Sequence, residues 1–372
     1  MNRKVILSTC GTSLLTNNTD NDVRKLVTSY ANVKTADEIS DPAVKARLQQ
    51  HIEERSRELG EMSDLAALQR LSAELNGIIR LYEGRMDGHA GDHHILVCTD
   101  TWLGSETARM LAAWLRSRTL SEEVWRITDL QTAELERFSL GMADLVKRCD
   151  ETFPGYREQQ YHVTFNLTGG FKSVQGFLQT LGLFYADESV YTFESGRDLL
   201  RLPRLPIKLD AADILKKSLQ VVRRSAVGLP LEQEAQAALT APLFMTIDGE
   251  ATLSPWGELI WKQQSKAIMA EKALPLISPK LIYGPDFVKS VDRLRLNGER
   301  TAQLHLKLDD LAAYLETKQS LKGLDFKQLK TSVKAPSTHE CDAWHDQGAK
   351  RIFGHFEGEI FILDELAEKL PS

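Results

Sequence analysis

The sequence predicts a multidomain chain: an N-terminal α/β domain on a doubly wound parallel sheet, followed by helical and α+β segments. Three observations carry this expectation. The chain has 372 residues, more than one ordinary hydrophobic core organises. Continuous apolar runs at Val5–Leu7, Ile95–Cys98 and Tyr161–Leu167 each stop at small hydroxyl residues or glycine, in STCGTS, TDTWLGSE and TGGFKS. Helical patterns then follow, as over Glu106–Leu115 and Ser173–Phe184. Strand, polar turn and helix in repetition build a parallel sheet, and its ligand sits where strand ends meet helix starts.

The remaining elements follow in chain order. Asp41 to Met86 is rich in Leu, Ala, Glu, Arg and Gln and has no proline after Pro42, so it reads as one or two long helices inserted between the first two strands, with its charges on a solvated face. Val124–Ile127 and Val190–Phe193 are further strands, and LPRLPIKLD (Leu202–Asp210) closes the domain. From Ala211 the spacing of Ile214, Leu215, Leu219, Val221 and Val222 is helical. Two short strands then flank Asp248 and Gly249, a hairpin signal, and Pro255 stands where a helix starts. Helices followed by a hairpin suggest a winged helix-turn-helix. Its near balance of acidic and basic residues favours a connector or dimer module over a DNA reader. Ser290–Leu294 and Ala302–Leu315 have helical spacing. The segments DFKQLKTSV, ECDAWHDQGAKRIFGHF and EIFILDELAEKL alternate like strands, giving a helix pair on a small antiparallel sheet.

Composition narrows the function. A net charge of −6 gives no global attraction to a polyanion, so any nucleic acid work is local or assisted. Cys10, Cys98, Cys149 and Cys341 form no CxxC pair, which suits buried thiols in a reduced cytosolic protein. The opening MNRKVILSTCGTS is too short an apolar run for a secretory signal, and no stretch reaches the roughly 20 apolar residues of a membrane span. A soluble, cytoplasmic protein without membrane contact is expected.

Two turns carry nucleotide chemistry. In STCGTSLLTN, Ser8, Thr9, Thr12 and Ser13 offer hydroxyls, Gly11 permits close backbone approach, and the next helix contributes amide donors. NLTGGFKS repeats this with Thr168, Gly169 and Gly170, and adds Phe171 as a stacking surface and Lys172 as a point charge. Such turns also serve simply as helix caps. CGTSLL lacks the GxGxxG spacing of a dinucleotide site, which speaks against an NAD enzyme.

The STCGTSLLTN turn, SAEL (Ser72–Leu75), the strand-end TDT (Thr99–Thr101) and NLTGGFKS resemble the CARF domains of type III CRISPR accessory proteins, over roughly Met1–Asp210. The resemblance implies a Rossmann-like sensor over residues 1–210. Two such domains in a homodimer form one symmetric pocket for a cyclic oligoadenylate, most simply cyclic tetra-adenylate as allosteric activator. By motif position the ligand is held by Thr9, Gly11, Thr12, Ser13, Thr99, Thr101, Thr168, Gly169, Gly170, Phe171 and Lys172. In some relatives the positions of Ser13 and Lys172 also help open the ring.

Metal-free RNA cleavage requires a base for the 2′-hydroxyl, an acid for the leaving 5′-oxygen and a cation for the phosphorane. Lys327, Lys330, Lys334, His339, His345, Lys350, Arg351 and His355 are the candidates, clustered most densely between His339 and His355, and no acidic cluster there suggests a metal. Two helices, the segment FKQLK and the strand hairpin with KRIFGHF resemble the RelE toxin family, which cuts messenger RNA in the ribosomal A site. That resemblance implies that Arg351 stabilises the phosphorane, Lys327 and Lys330 hold RNA, and His355 or His339 shares proton transfer. RelE proteins are mostly strongly basic, whereas Lys280–Ser372 is nearly neutral, which implies a docking aid. The expected order is CARF sensor (1–210), winged helix-turn-helix (211–279) and α+β RelE-like ribonuclease (280–372), as in CRISPR-associated messenger RNA interferases. The alternatives are a ligand-controlled winged-helix transcription regulator and a ring nuclease with structural appendages.

Overall fold

The computed structural model describes residues 3–131, 133–192, 198–207, 210–231, 243–271, 274–319, 321, 323–329, 334–346 and 348–368. The chain forms two compact units, Met1–Lys208 and Leu209–Ser372.

The first unit is built on a six-stranded sheet. Five strands are parallel: β1 (Lys4–Thr9), β2 (His93–Cys98), β3 (Ser121–Arg126), β4 (His162–Asn166) and β5 (Glu188–Thr192). The last, β6 (Leu199–Pro203), runs antiparallel to β5. Their spatial order is β3-β2-β1-β4-β5-β6. Val5, Ile6 and Leu7 have no exposed surface, because helices cover both faces of a central parallel strand. After β1 the chain goes to one side for β2 and later crosses to the other for β4. The C-terminal ends of β1 and β4 therefore flank the topological switch point, where the diverging connections open a crevice.

Of the three hydroxyl-rich turns after strands, the TDT turn alone supplies a side-chain cap to the helix that follows. Thr101 caps α6 (Trp102–Ser117), and α8 (Lys172–Tyr185) follows the GGF turn. Before α6 come α1 (Ser13–Thr16) and α2 (Asn21–Ser29), while α7 (Leu135–Glu158) joins β3 to β4. The insertion departs from expectation. It forms three helices, α3 (Pro42–Glu61), α4 (Leu65–Leu71) and α5 (Ala73–Leu81), because Asp64 and Ser72 cap new helices where longer ones were expected to continue. Nor are all its charges solvated: His51, Arg55 and Glu74 are buried. His51 Nε2 meets the Leu15 carbonyl at 2.8 Å, and Arg55 donates to the Asn17 and Asn18 carbonyls, so the insertion holds the loop after β1.

The second unit opens with α9 (Ala212–Lys217) and α10 (Leu219–Ala226). The hairpin β7 (Phe244–Ile247) and β8 (Glu250–Leu253) turns on Asp248 and Gly249, both at positive φ, and α11 (Pro255–Met269) follows with Ser254 as cap. Next come β9 (Leu281–Tyr283), α12 (Pro285–Leu294) and α13 (Gly298–Thr317). The strands β10 (Lys327–Gln328), β11 (His339–Trp344), β12 (Lys350–Glu357) and β13 (Ile360–Glu368) complete a sheet of order β10-β11-β12-β13-β9. The sheet is mixed rather than purely antiparallel, since β9 pairs parallel with β13. The buried Arg223 of α10 grips Asp309 of α13 through two hydrogen bonds, 2.9 and 2.6 Å, and donates to the Pro275 carbonyl at 2.6 Å. Elements on both sides of residue 280 thus share one ionic contact. All four cysteines are free and buried, and among the described residues no helix is long and apolar enough to cross a membrane.

Two predictions follow from these contacts. Removing one partner of the Arg223–Asp309 pair strands a buried charge, so Arg223→Met destabilises the second unit by about 3 to 5 kcal/mol in chemical denaturation. At the opposite end of the first sheet, His162 and then Arg201 hold the Glu188 carboxyl down to about 2, while Glu188 raises the His162 imidazole. The depressed carboxyl contributes stability above its ordinary 4.5 and loses it as the pH falls through about 2. The raised imidazole contributes most below its ordinary 6.5 and loses this as the pH climbs through its raised value. The Tm gap between the natural protein and Glu188→Gln is therefore widest between those ordinary values and closes toward pH 2. A flat gap over this range refutes the assignment.

Candidate functional site

The crevice at the ends of β1 and β4 is organised by a carboxylate. Glu74, from the second residue of α5, is fully buried. Its Oε1 accepts the Gly11 amide at 2.8 Å and the Gly170 amide at 3.2 Å, one from each turn. Its Oε2 accepts the hydroxyls of Ser13 and, at 2.6 Å, of Ser72. Ser72 also caps α5, while Ser13 Oγ accepts the Ala73 amide at 3.0 Å. The two turns are joined directly as well, since the Thr9 hydroxyl donates to the Gly169 carbonyl. Glycine is required at two points. A Cβ on Gly169 would fall within the Glu74 carboxylate, and Gly170, at φ +89°, would place one 2.8 Å from Thr9 Cβ.

This geometry divides the sequence-derived candidates. Thr9, Gly11, Ser13, Gly169 and Gly170 hold the turns together. Thr168 donates to Asn166 Oδ1 at 2.8 Å, and Asn166 in turn donates to Ser8 Oγ at 3.2 Å. Thr99 and Thr101 are buried, with their hydroxyls 2.8 Å apart and Thr101 capping α6. Thr12 and Phe171 remain half-buried at the crevice, and Lys172 is exposed at the first position of α8. The α8 N-terminus receives no side-chain cap and begins with a lysine, a local arrangement suited to an anion. The sequence gives Glu74 only as part of SAEL. The signal available was a serine two residues ahead of an acid at a helix start.

In the second unit, the side chains of β12 alternate across the sheet. Arg351, Phe353 and His355 take one face, and Ile352 and Phe356 the other. His339 stands on the Phe356 face: its ring stacks on Phe326, with centroids 5.3 Å apart, and meets Phe356 edge-on at 5.1 Å. Burial there holds its imidazole below the usual histidine range. His339 and His355, grouped by sequence, thus lie on opposite faces of the sheet.

Arg351 has a side chain only 7% exposed and lies among three carboxylates: Asp325 at 2.9 Å, Asp342 at 3.0 Å and Glu340 at 3.1 Å. These acids are dispersed in sequence, and the fold gathers them around the guanidinium. Lys327 pairs with Asp325 at 2.7 Å, Lys334 with Glu365, and Lys350 with Glu368 at 2.9 Å. His345 is exposed. Lys330 lies outside the described residues. His355 Nδ1 is 3.0 Å from both oxygens of Asp364, which raises its imidazole.

The Glu74 contacts are testable by stability. Glu74→Ala leaves the Gly11 and Gly170 amides without their acceptor, at about 1 kcal/mol or more each. Urea unfolding of the first unit shifts by at least about 2 kcal/mol, whereas Lys172→Ala, at an exposed position, shifts it by under about 0.5 kcal/mol. Equal losses in the two variants would contradict the division between holding and presenting residues.

Comparison with known proteins adds one finding. No curated protein matches the chain. Residues 69–205, from α4 through β6 and including Glu74, the Thr99–Thr101 turn and the GGFK turn, match the family model described as CRISPR-associated protein (Cas_APE2256); over that stretch the chain is similar to CRISPR-associated proteins.

Proposed function

We propose that the chain is a cyclic oligoadenylate sensor coupled to a messenger RNA endonuclease in type III CRISPR defence. The observation that carries this reading is the meeting of the two hydroxyl-and-glycine turns at the switch point, beside Lys172 and the uncapped start of α8. The match of residues 69–205 to a CRISPR-associated family supports it. Thr12, Phe171 and Lys172 contact the ring, the other turn residues set the backbone that presents them, and a homodimer completes a two-fold pocket for cyclic tetra-adenylate. Ser13, held by Glu74 and the Ala73 amide, stands where slow ring opening would act.

In this reading residues 211–279 are a winged-helix connector, and the helix pair α12–α13 on its sheet is a RelE-like ribonuclease. Neutralisation of Arg351, Lys327, Lys334 and Lys350 by neighbouring acids leaves little for counterion release on naked RNA. The ribosome therefore supplies affinity, and by holding the A-site codon it aligns the 2′-hydroxyl with its phosphate. A cytoplasmic site of action follows.

The direct test is a translation extract with and without cyclic tetra-adenylate, followed by mapping of RNA 5′ ends. Activator-dependent cuts within A-site codons are expected, and operator binding without cleavage would favour the regulator reading. Lys172→Ala removes two charge-assisted contacts per symmetric pocket, each worth about 1.5 to 3 kcal/mol, so calorimetry should show at least a hundredfold loss of affinity. Arg351→Ala should abolish cutting on ribosomes with ligand binding intact, a preorganised charge donor being worth about 3 to 4 kcal/mol in the transition state. Efficient cutting of free RNA, or full activity of that variant, would overturn the mechanism.

A further inference from the structure

The environment of His355 is built by an irregularity in β13. Phe353 pairs with Glu365 and Gly354 with Leu363, so Asp364 is the additional residue of a β-bulge. A bulge re-aims side chains. Here it lets two consecutive carboxylates serve the face that bears Arg351 and Phe353: Glu365 reaches Lys334, which lies 5.0 Å over the Phe353 ring, and Asp364 reaches His355. Asp364 is further fixed by the Ser337 hydroxyl, which donates to its Oδ2 at 2.8 Å. A carboxylate is acceptor-only, so the facing Nδ1 must carry the hydrogen. Nε2 then lies on the outer side of the ring, 3.5 Å from Glu357, whose own side chain is 70% exposed.

We infer that Asp364 is the positioning residue of a proton-transfer dyad, holding His355 with Nδ1–H inward and Nε2 directed outward to serve the leaving 5′-oxygen of a bound RNA. The inference rests on the ribonuclease reading for its substrate, while the dyad itself is a property of β12 and β13. The charged groups facing the imidazole are Asp364 across the strand pair and Glu357 on its own strand, with the Lys334–Glu365 pair further along the face. Both carboxylates favour imidazolium, so His355 is raised and retains its Nε2 proton to higher pH than an ordinary histidine. In the step, the 2′-hydroxyl loses its proton to water and its oxygen bonds to phosphorus. The P–O5′ bond breaks, and the Nε2 proton passes to O5′. The products are a 2′,3′-cyclic phosphate and a 5′-hydroxyl, and water reprotonates the imidazole.

His339 cannot replace this group, since its ring is held among Phe326, Phe356 and Phe361 on the other face. Asp364 escapes a sequence reading because LDELAE alternates imperfectly, and only the bulge turns that acid toward the preceding strand.

The test uses the full chain as Asp364→Asn, Asp364→Glu and His355→Gln, with thermal melts to confirm folding. The first readout is the His355 imidazole titration by NMR, which requires no RNA: its midpoint should fall in Asp364→Asn and recover at least partly in Asp364→Glu. The second is cleavage on programmed ribosomes with cyclic tetra-adenylate. There kcat should drop by roughly a hundredfold, the low end for a positioned acid, with KM unchanged and the alkaline limb of the pH profile moved to lower pH in Asp364→Asn. An unmoved titration overturns the dyad. A moved titration with full cutting by His355→Gln overturns its role in proton transfer. Absence of cutting by the natural protein refutes the ribonuclease reading and with it the dyad's catalytic role, while the titration still decides the pairing.

Discussion

A single buried carboxylate determines the shape of the crevice. Glu74 accepts one amide from each of two turns separated by more than 150 residues, and two hydroxyls besides. Strands β1 and β4 are neighbours through their ladder, but a ladder fixes strands and leaves the turns beyond them free to splay. Glu74 removes that freedom by taking donors that would otherwise face water or an anion. The protein thus carries an internal acceptor at its switch point, and beside it Thr12 and Phe171 remain half-buried and Lys172 exposed.

Much of the first unit was legible because its central strands are buried on both faces. Val5–Leu7, Ile95–Cys98 and Tyr161–Leu167 read as strands, and polar turns mark their ends. The destination of Glu74 was not legible. A glutamate two residues after a serine is an ordinary helix start, and nothing local says that its side chain enters a crevice made by strands on either side of it in sequence. The same holds for His51 and Arg55, which bond to carbonyls of α1 and of the two residues after it. Helical composition predicts a solvated charged face, and tertiary contacts overrode it. The edge strand β6 was hidden by Pro203, its last residue, tolerable only where one side of the strand lacks a partner.

In the second unit the turn chemistry at Asp248–Gly249 and the stripe Leu304, Leu308, Leu311 and Leu315 translate directly into a hairpin and a helix. The ionic face does not. Asp325, Glu340 and Asp342 come from three places along the chain, and their convergence on Arg351 depends on strand register. Linear proximity had grouped His339 with His355, but period-two alternation puts the rings on opposite faces. Charge counts along the chain gave near neutrality, and the fold converts that average into discrete pairs.

The placement of β1 at the centre of its sheet also bears on how the chain is made. Its two neighbours are β2, beginning at His93, and β4, beginning at His162. At synthesis rates of about 5 to 20 residues per second, roughly 8 to 30 s separate emergence of the first strand from emergence of the last one it must touch. For that interval Val5, Ile6 and Leu7 have at most one flanking ladder, and the GGFK turn that closes over the STCGTS turn does not yet exist. Within the helical insertion, the neighbouring helices α4 and α5 can pack together during the wait. The nascent protein therefore passes through a stage in which the central strand of this sheet has an open edge, the stage at which a holding chaperone has the most to offer.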